Sequence, residues 1–272
     1  MKGLIEILNK FDAERDKRVV NGKWVNDADR KDEAVAECFY PCAKEILCNG
    51  YFLVNNKYII DLGAIELYYH EEEGSIKDHI MYHTNEHQSK SKVFEKNGNK
   101  YPYFKFGSFN LHQSGVDVTF ENEEQHYRAS FLIRSYRVFN KDEQDKVYGT
   151  QVPFDKCSTH IFDDMFYDGI TFYGKNKTVI EWVEFKKCDG EPKIEQRVRV
   201  NVPKYKKVGE KYEKDDLIEP NGRKICKSDY DIELEKEKND HSYVPKYFKY
   251  NKKFYKQDMR FWHFRREDIK EQ

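Results

Sequence analysis

The sequence predicts an α+β fold: a single mixed domain around a curved antiparallel β-sheet with peripheral helices. Three observations carry that expectation. The order of elements runs helix, hairpin, loop, strands, helix, strands. No βαβ alternation interrupts it, which excludes a doubly wound parallel sheet. Aromatic residues reach 15%, and 20 Tyr and 19 Phe need a packed interior that a disordered chain lacks.

Taken in order, Leu4, Leu8 and Phe11 recur at helical spacing, so residues 1–30 read as a helical N-terminal extension. "NGKWVNDADRK" is a polar link. In "DEAVAECFYPCAKEILC" the second half is helical, with Ala43, Ile46 and Leu47 on one face. Asn49-Gly50 stops that helix as a pair tolerant of left-handed backbone. "YFLVNNKYIIDLGAIELYYH" is a hairpin turning at Asn55-Asn56. Residues 71–100 are polar and read as a long loop or short helix. "YPYFKFGSFNLH", "GVDVTFE" and "YRASFLIRSYRVF" are strands. "CSTHIFDDMFYDG" is a helix ended by Gly169, and "GITFYG", "TVIEWVEFKKC" and "EQRVRVNV" are strand-like. The main domain therefore spans 31–272, with a charge-dense insertion at about 201–257.

Bulk properties narrow the function classes. A net charge of -1 gives no overall basic field to draw the chain to nucleic acid or acidic membranes. Any nucleic-acid site must then be a local patch. The six cysteines form no CxxC pair, which fits reduced thiols in a cytoplasmic protein better than a disulfide framework. No signal-peptide core and no 20-residue apolar run is present, so neither secretion nor a membrane is expected.

Three constellations could carry chemistry. Glu66, Tyr68 and His70 share one face of a strand with period two. A carboxylate there suits a general base with a ring platform beside it. The same spacing equally describes a solvated face. Asp78, His79, His83 and His87 place three histidines at i, i+4 and i+8, as a metal site or a wet helix surface would. No acidic or cysteine set completes a zinc pattern, so no metal is expected. Residues 241–266 interleave aromatics with lysines and arginines, Arg260 among them. That suits a nucleic-acid surface, or a strand with an aromatic core face. Arg134, Arg137, Arg197 and Arg199 add positive charge in the strands.

The pieces in order resemble one family, the alkyladenine (3-methyladenine, methylpurine-type) DNA glycosylases. "CFYPCAKEILCNGYFLV" leading into "IIDLGAIELYY" is similar to the family's helix and hairpin ending in Ile-Val-Glu-x-Glu-Ala-Tyr. Its second Glu then matches Glu66 and its Tyr matches Tyr68. "DHIMYH" is similar to the Asp-x-x-x-His element, with His83 as the counterpart and His79 as the other option. "GSFNLHQSGVDVTF" and "FLIRSYRV" are similar to the next strands and place Arg134 at the family's arginine. "QRVRVNV" and "MRFWHF" are similar to the closing segments. The family's second stacking tyrosine falls on Leu111 or His112, and its screening asparagine falls near Glu121 or Asn122. The glutamates at 71–73 have no place in the pattern.

The resemblance implies base-excision repair of double-stranded DNA carrying a damaged purine, without cofactor or metal, by a monomer. The nucleotide is flipped into a pocket. Glu66 activates the water that attacks C1′ and stabilises the oxocarbenium-like transition state. Tyr68 stacks on the base, His83 or His79 contacts it, Leu111 or His112 lines the pocket, and Arg134 lies near the nucleotide. Arg197, Arg199 and Arg260 face the DNA backbone. Two other classes fit the same residues: a non-catalytic β-rich nucleic-acid-binding or interaction protein, and a hydrolase using His79, His83, Glu66 and a metal.

Overall fold

The computed structural model describes residues 1–25, 31–78, 81, 83–85, 101–149, 152–166, 178–187, 193–197, 199, 205–208, 211–214 and 262–266. The sequence readings at His79, His87, residues 169–174, Cys188, Cys226 and Arg260, and most of 201–257, lie outside them. Contacts divide the chain into two units, Met1–Arg197 with Trp262–Gln272, and Val198–Phe261. In the second, strands Tyr205–Val208 and Lys211–Lys214 pair as an antiparallel hairpin.

In the first unit, helix α1 (Lys2–Asp16) precedes the short paired strands β1 (Val19–Val20) and β2 (Lys23–Trp24). Helix α2 (Lys31–Cys48) then leads into β3 (Gly50–Val54) and β4 (Tyr58–Glu71). Further strands are β5 (Ser108–His112), β6 (Gly115–Thr119), β7 (Tyr127–Asn140) and β8 (Lys156–Cys157). After helix α3 (Ile161–Phe166) come β9 (Ile180–Glu184) and β10 (Ile194–Arg197). With the second unit's hairpin counted as β11 and β12, the last strand is β13 (His263–Arg266). Nine of these strands form one antiparallel sheet, with the path β10-β13-β4-β7-β6-β5. β3 joins β4 to β9, and β8 pairs with β7. This is the expected α+β architecture, with helices on one face of a large curled antiparallel sheet.

The period of two explains why one face is oily. Ile65, Leu67 and Tyr69 of β4, Ala129, Phe131 and Ile133 of β7, and Val116 and Val118 of β6 are buried together against α1 and α2. Phe11 of α1 sits at the centre and meets Phe39, Tyr69, Phe120 and Tyr127 edge-on. Edge-to-face rings add a directional term to the burial. Arg15 of α1 donates to the Tyr69 hydroxyl at 2.7 Å, inside the interior. The N-terminal helix therefore contributes to the core of this unit.

Two local readings change. α2 is helical throughout, across Pro41. The missing proline N–H removes one helical hydrogen bond, but Val35, Phe39, Cys42 and Ile46 still share a buried face. Gly50 is not a left-handed stop. It starts β3, and an added Cβ would lie 2.3 Å from Cζ2 of Trp182 on β9. The glycine is required by that close approach. Asn55 and Asn56 do form the hairpin turn, with φ of 52° and 54°.

Candidate active site

The opposite face of the sheet is polar, yet it too is buried. Alternation along β4 puts Glu66, Tyr68 and His70 on it, matched across β7 by Leu132, Ser130 and Arg128. Asp117 and Thr119 of β6 continue the row beside Leu132 and Ser130. Burial of so many polar groups requires that they satisfy one another.

Glu66 is 0% exposed. Its Oε1 accepts the Tyr68 hydroxyl at 2.7 Å and the Arg134 guanidinium at 2.5 Å. Arg134 also donates to the Tyr68 oxygen at 3.2 Å. Burial works against the Arg134 charge, but Tyr68 and Glu66 outweigh it and, with Asp117, hold its pKa above the ordinary value. Arg134 follows Leu132 on this face by the two-residue period and sits at a bulge. The pairing of β4 with β7 shifts between Leu62/Ala64 and Ala64/Ile65, so Gly63 on one strand and Arg134 on the other lie outside the regular register. Tyr68 packs with Met81 and Leu132 and is 8% exposed.

One further residue faces Glu66. His263 of β13 lies directly opposite it in register, and its Nδ1 is 3.5 Å from Glu66 Oε2. The sequence reading missed it, taking Arg260 from the same segment. The alternation of buried Trp262 and Phe264 with His263 and Arg265 was the available signal.

His83 pairs with a different carboxylate, Glu121. Its Nε2 is 2.9 Å from Glu121 Oε1, and its ring meets Phe104 edge-on. Glu121 also binds Arg128, at 3.1 Å. Arg128 in turn donates to Glu72, to the Pro102 carbonyl and to the Tyr101 carbonyl, under the face of Tyr103. His70 accepts the Asp78 N–H on Nδ1 at 3.0 Å, which leaves its proton on Nε2, toward Glu72. Burial alone would raise the Glu72 carboxyl, but His70 and Arg128 bring it down to about 2.

This second cluster accounts for the glutamates after the strand. Glu71 is buried, accepts from Trp24 and Tyr69, and lies 3.7 Å from Arg15. Glu72 holds Arg128. Only Glu73 is exposed, 3.7 Å from His126.

The remaining expected residues are spread out. Leu111 is 43% exposed on β5. His112 accepts the Ser114 N–H on Nδ1, so Nε2 carries the proton toward Asp117 at 3.2 Å. Arg197 pairs with Glu195 at 2.8 Å on β10, and Arg199 is buried. At the far end of the polar face Asp61 binds Arg137 at 2.7 Å and Lys187 at 2.6 Å, all of them buried. Arg137 also caps the carbonyls of Val147, Gly149 and Val152, which marks this third cluster as a structural tie. Among the described residues no group of three or more His, Cys, Asp or Glu is arranged to hold a metal ion. None of the described helices is long and apolar enough to cross a membrane.

No family model, curated protein or solved structure matches the chain. The site must therefore be judged on its own geometry.

Proposed function

We propose that the chain is a monofunctional DNA N-glycosylase-like hydrolase that releases an alkylated or deaminated purine, with Glu66 as the reacting carboxylate. The observation that carries this reading is the fully buried Glu66, clamped on one oxygen by Tyr68 and Arg134. N-glycoside hydrolysis develops positive charge on the sugar, and a fixed, desolvated carboxylate stabilises it without reorganising. The other oxygen would orient and deprotonate the attacking water. An alkylated purine is cationic and leaves readily, so little acid catalysis is needed at the base. The family resemblance of the sequence points the same way. Cytoplasmic location and double-stranded DNA as partner belong to this proposal.

The packing of Tyr68 against Met81 and Leu132 favours a second reading. A base stacked on Tyr68 would have to displace Met81 from the ring. If it cannot, the same face serves a non-catalytic nucleic-acid-binding or interaction protein. One experiment separates the two. Purified protein is incubated with duplexes carrying 7-methylguanine, 3-methyladenine or hypoxanthine, and free base is measured. Release that vanishes in Glu66→Gln supports the glycosylase. Duplex binding without release supports the second reading, and neither release nor low-salt binding overturns both.

A further inference from the structure

We propose that His263 is a positioning residue for Glu66, acting at Oε2 while Tyr68 and Arg134 act at Oε1. The proposal rests on the reading of Glu66 as the reacting carboxylate. Three observations carry it. His263 is opposite Glu66 in the β13–β4 register, and its Nδ1 faces Oε2 at 3.5 Å. The side chain is 8% exposed, so it has little room to turn elsewhere. Its strand is pinned from both sides: the Trp262 carbonyl accepts the Leu67 N–H at 2.8 Å, and the Phe264 ring packs on Phe39.

The chemistry follows from how a carboxylate is fixed. Donors on Oε1 alone leave the group able to rotate about its last carbon–carbon bond. A second donor at Oε2 sets the plane, and with it the line along which a water is addressed. A carboxylate oxygen beside Nδ1 selects the imidazole form with the proton on Nδ1. The 3.5 Å separation is long for a finished hydrogen bond, and such contacts tighten when a substrate closes the site. Among the described residues, the charged and titratable groups that bear on the ring are Glu66, with Tyr68 and Arg134 bound to it, Arg197 opposite the ring on β10, and Arg265 on its own strand.

Two arms test the proposal. Imidazole nitrogen NMR of the full-length chain reads the tautomer without any activity. In the wild type Nδ1 of His263 is protonated, and in Glu66→Gln the ring shifts toward the Nε2–H form. An identical tautomer in both overturns the contact. The second arm compares His263→Ala with His263→Asn, whose amide can return a donor near the Nδ1 position. With a duplex that the wild type processes, Ala slows single-turnover release about tenfold at unchanged duplex Kd, and Asn stays within about twofold of wild type. An Ala variant at the wild-type rate, or an Asn variant as slow as Ala, overturns the positioning role. A wild type that releases no base overturns the glycosylase reading alone, and the NMR arm still decides His263.

Discussion

Arg134 touches Glu66 from a position at the bulge of the β4–β7 ladder, with its guanidinium 2.5 Å from Oε1. The pair is buried, so its two halves are not independent. Removing the cation alone strands a carboxylate without its strongest partner. Arg134→Ala is expected to destabilise the fold by about 3 kcal/mol in urea unfolding. In base-release assays it should also lower single-turnover rates by roughly 10²-fold or more. Arg134→Lys restores the charge but puts a compact ammonium on a shorter reach where Nη2 of the guanidinium donates to both Glu66 and the Tyr68 oxygen, so its rate recovers only in part. A fully stable, fully active Arg134→Ala would remove Arg134 from the site.

The Glu72 carboxyl gives the fold an acid limb. Its pKa is about 2 in the folded protein against an ordinary 4.5. A depressed carboxylate stabilises the fold above pH 4.5 and loses that stabilisation as pH falls toward 2. The full shift corresponds to roughly 3 kcal/mol, which solvent screening at the rim trims to about 2 kcal/mol. Glu72→Gln is therefore expected to be less stable than wild type at neutral pH. Its stability should also fall less steeply between about pH 4.5 and 2. Parallel stability curves for the two proteins over that window would show that Glu72 is not the group responsible.

Gly50 tests the packing of β3 on β9. A methyl at this position meets the Trp182 ring, and the ring is itself held edge-on to Phe52. Gly50→Ala should cost about 1–3 kcal/mol by thermal or urea unfolding. Gly50→Ala combined with Trp182→Phe should recover part of that loss, because the smaller ring vacates the space. Additive losses would instead indicate a backbone effect at Gly50.

The thiols divide by burial. Cys38 and Cys42 are buried, and desolvation pushes each up to about 12. Cys42 is further occupied as a donor to the Ile7 carbonyl at 3.1 Å. Cys157 is exposed on β8. Timed alkylation with mass mapping should modify Cys157 in the native protein and reach Cys38 and Cys42 only on unfolding. Equal labelling of all three under native conditions would contradict the packing of α2.

Local rules made much of the fold legible. The Asn55-Asn56 turn, the long strand through Glu66 and the strand through Arg134 all follow from period and turn chemistry. The grouping of Glu66, Tyr68 and Arg134 was also readable, two of them from spacing and the third from order along the chain. Long-range burial was not. Glu71 and Glu72 look like a wet acidic run because their partners, Arg15, Trp24 and Arg128, are distant in sequence. His263 was hidden for the same reason, and so was the pairing of His83 with Glu121. The bulge at Gly63 and Arg134 leaves no mark that a strict alternation rule can see.

The edge of β4 is shared by two strands of very different age in a growing chain. β3 covers residues 58–60 almost at once, whereas residues 64–66 wait for β13, roughly 200 residues later. Until then the Glu66 carboxylate and three backbone positions stand at an open sheet edge, the kind of surface that recruits foreign strands. A charge at an unpaired edge discourages wrong partners, which gives Glu66 a part to play before the sheet is complete.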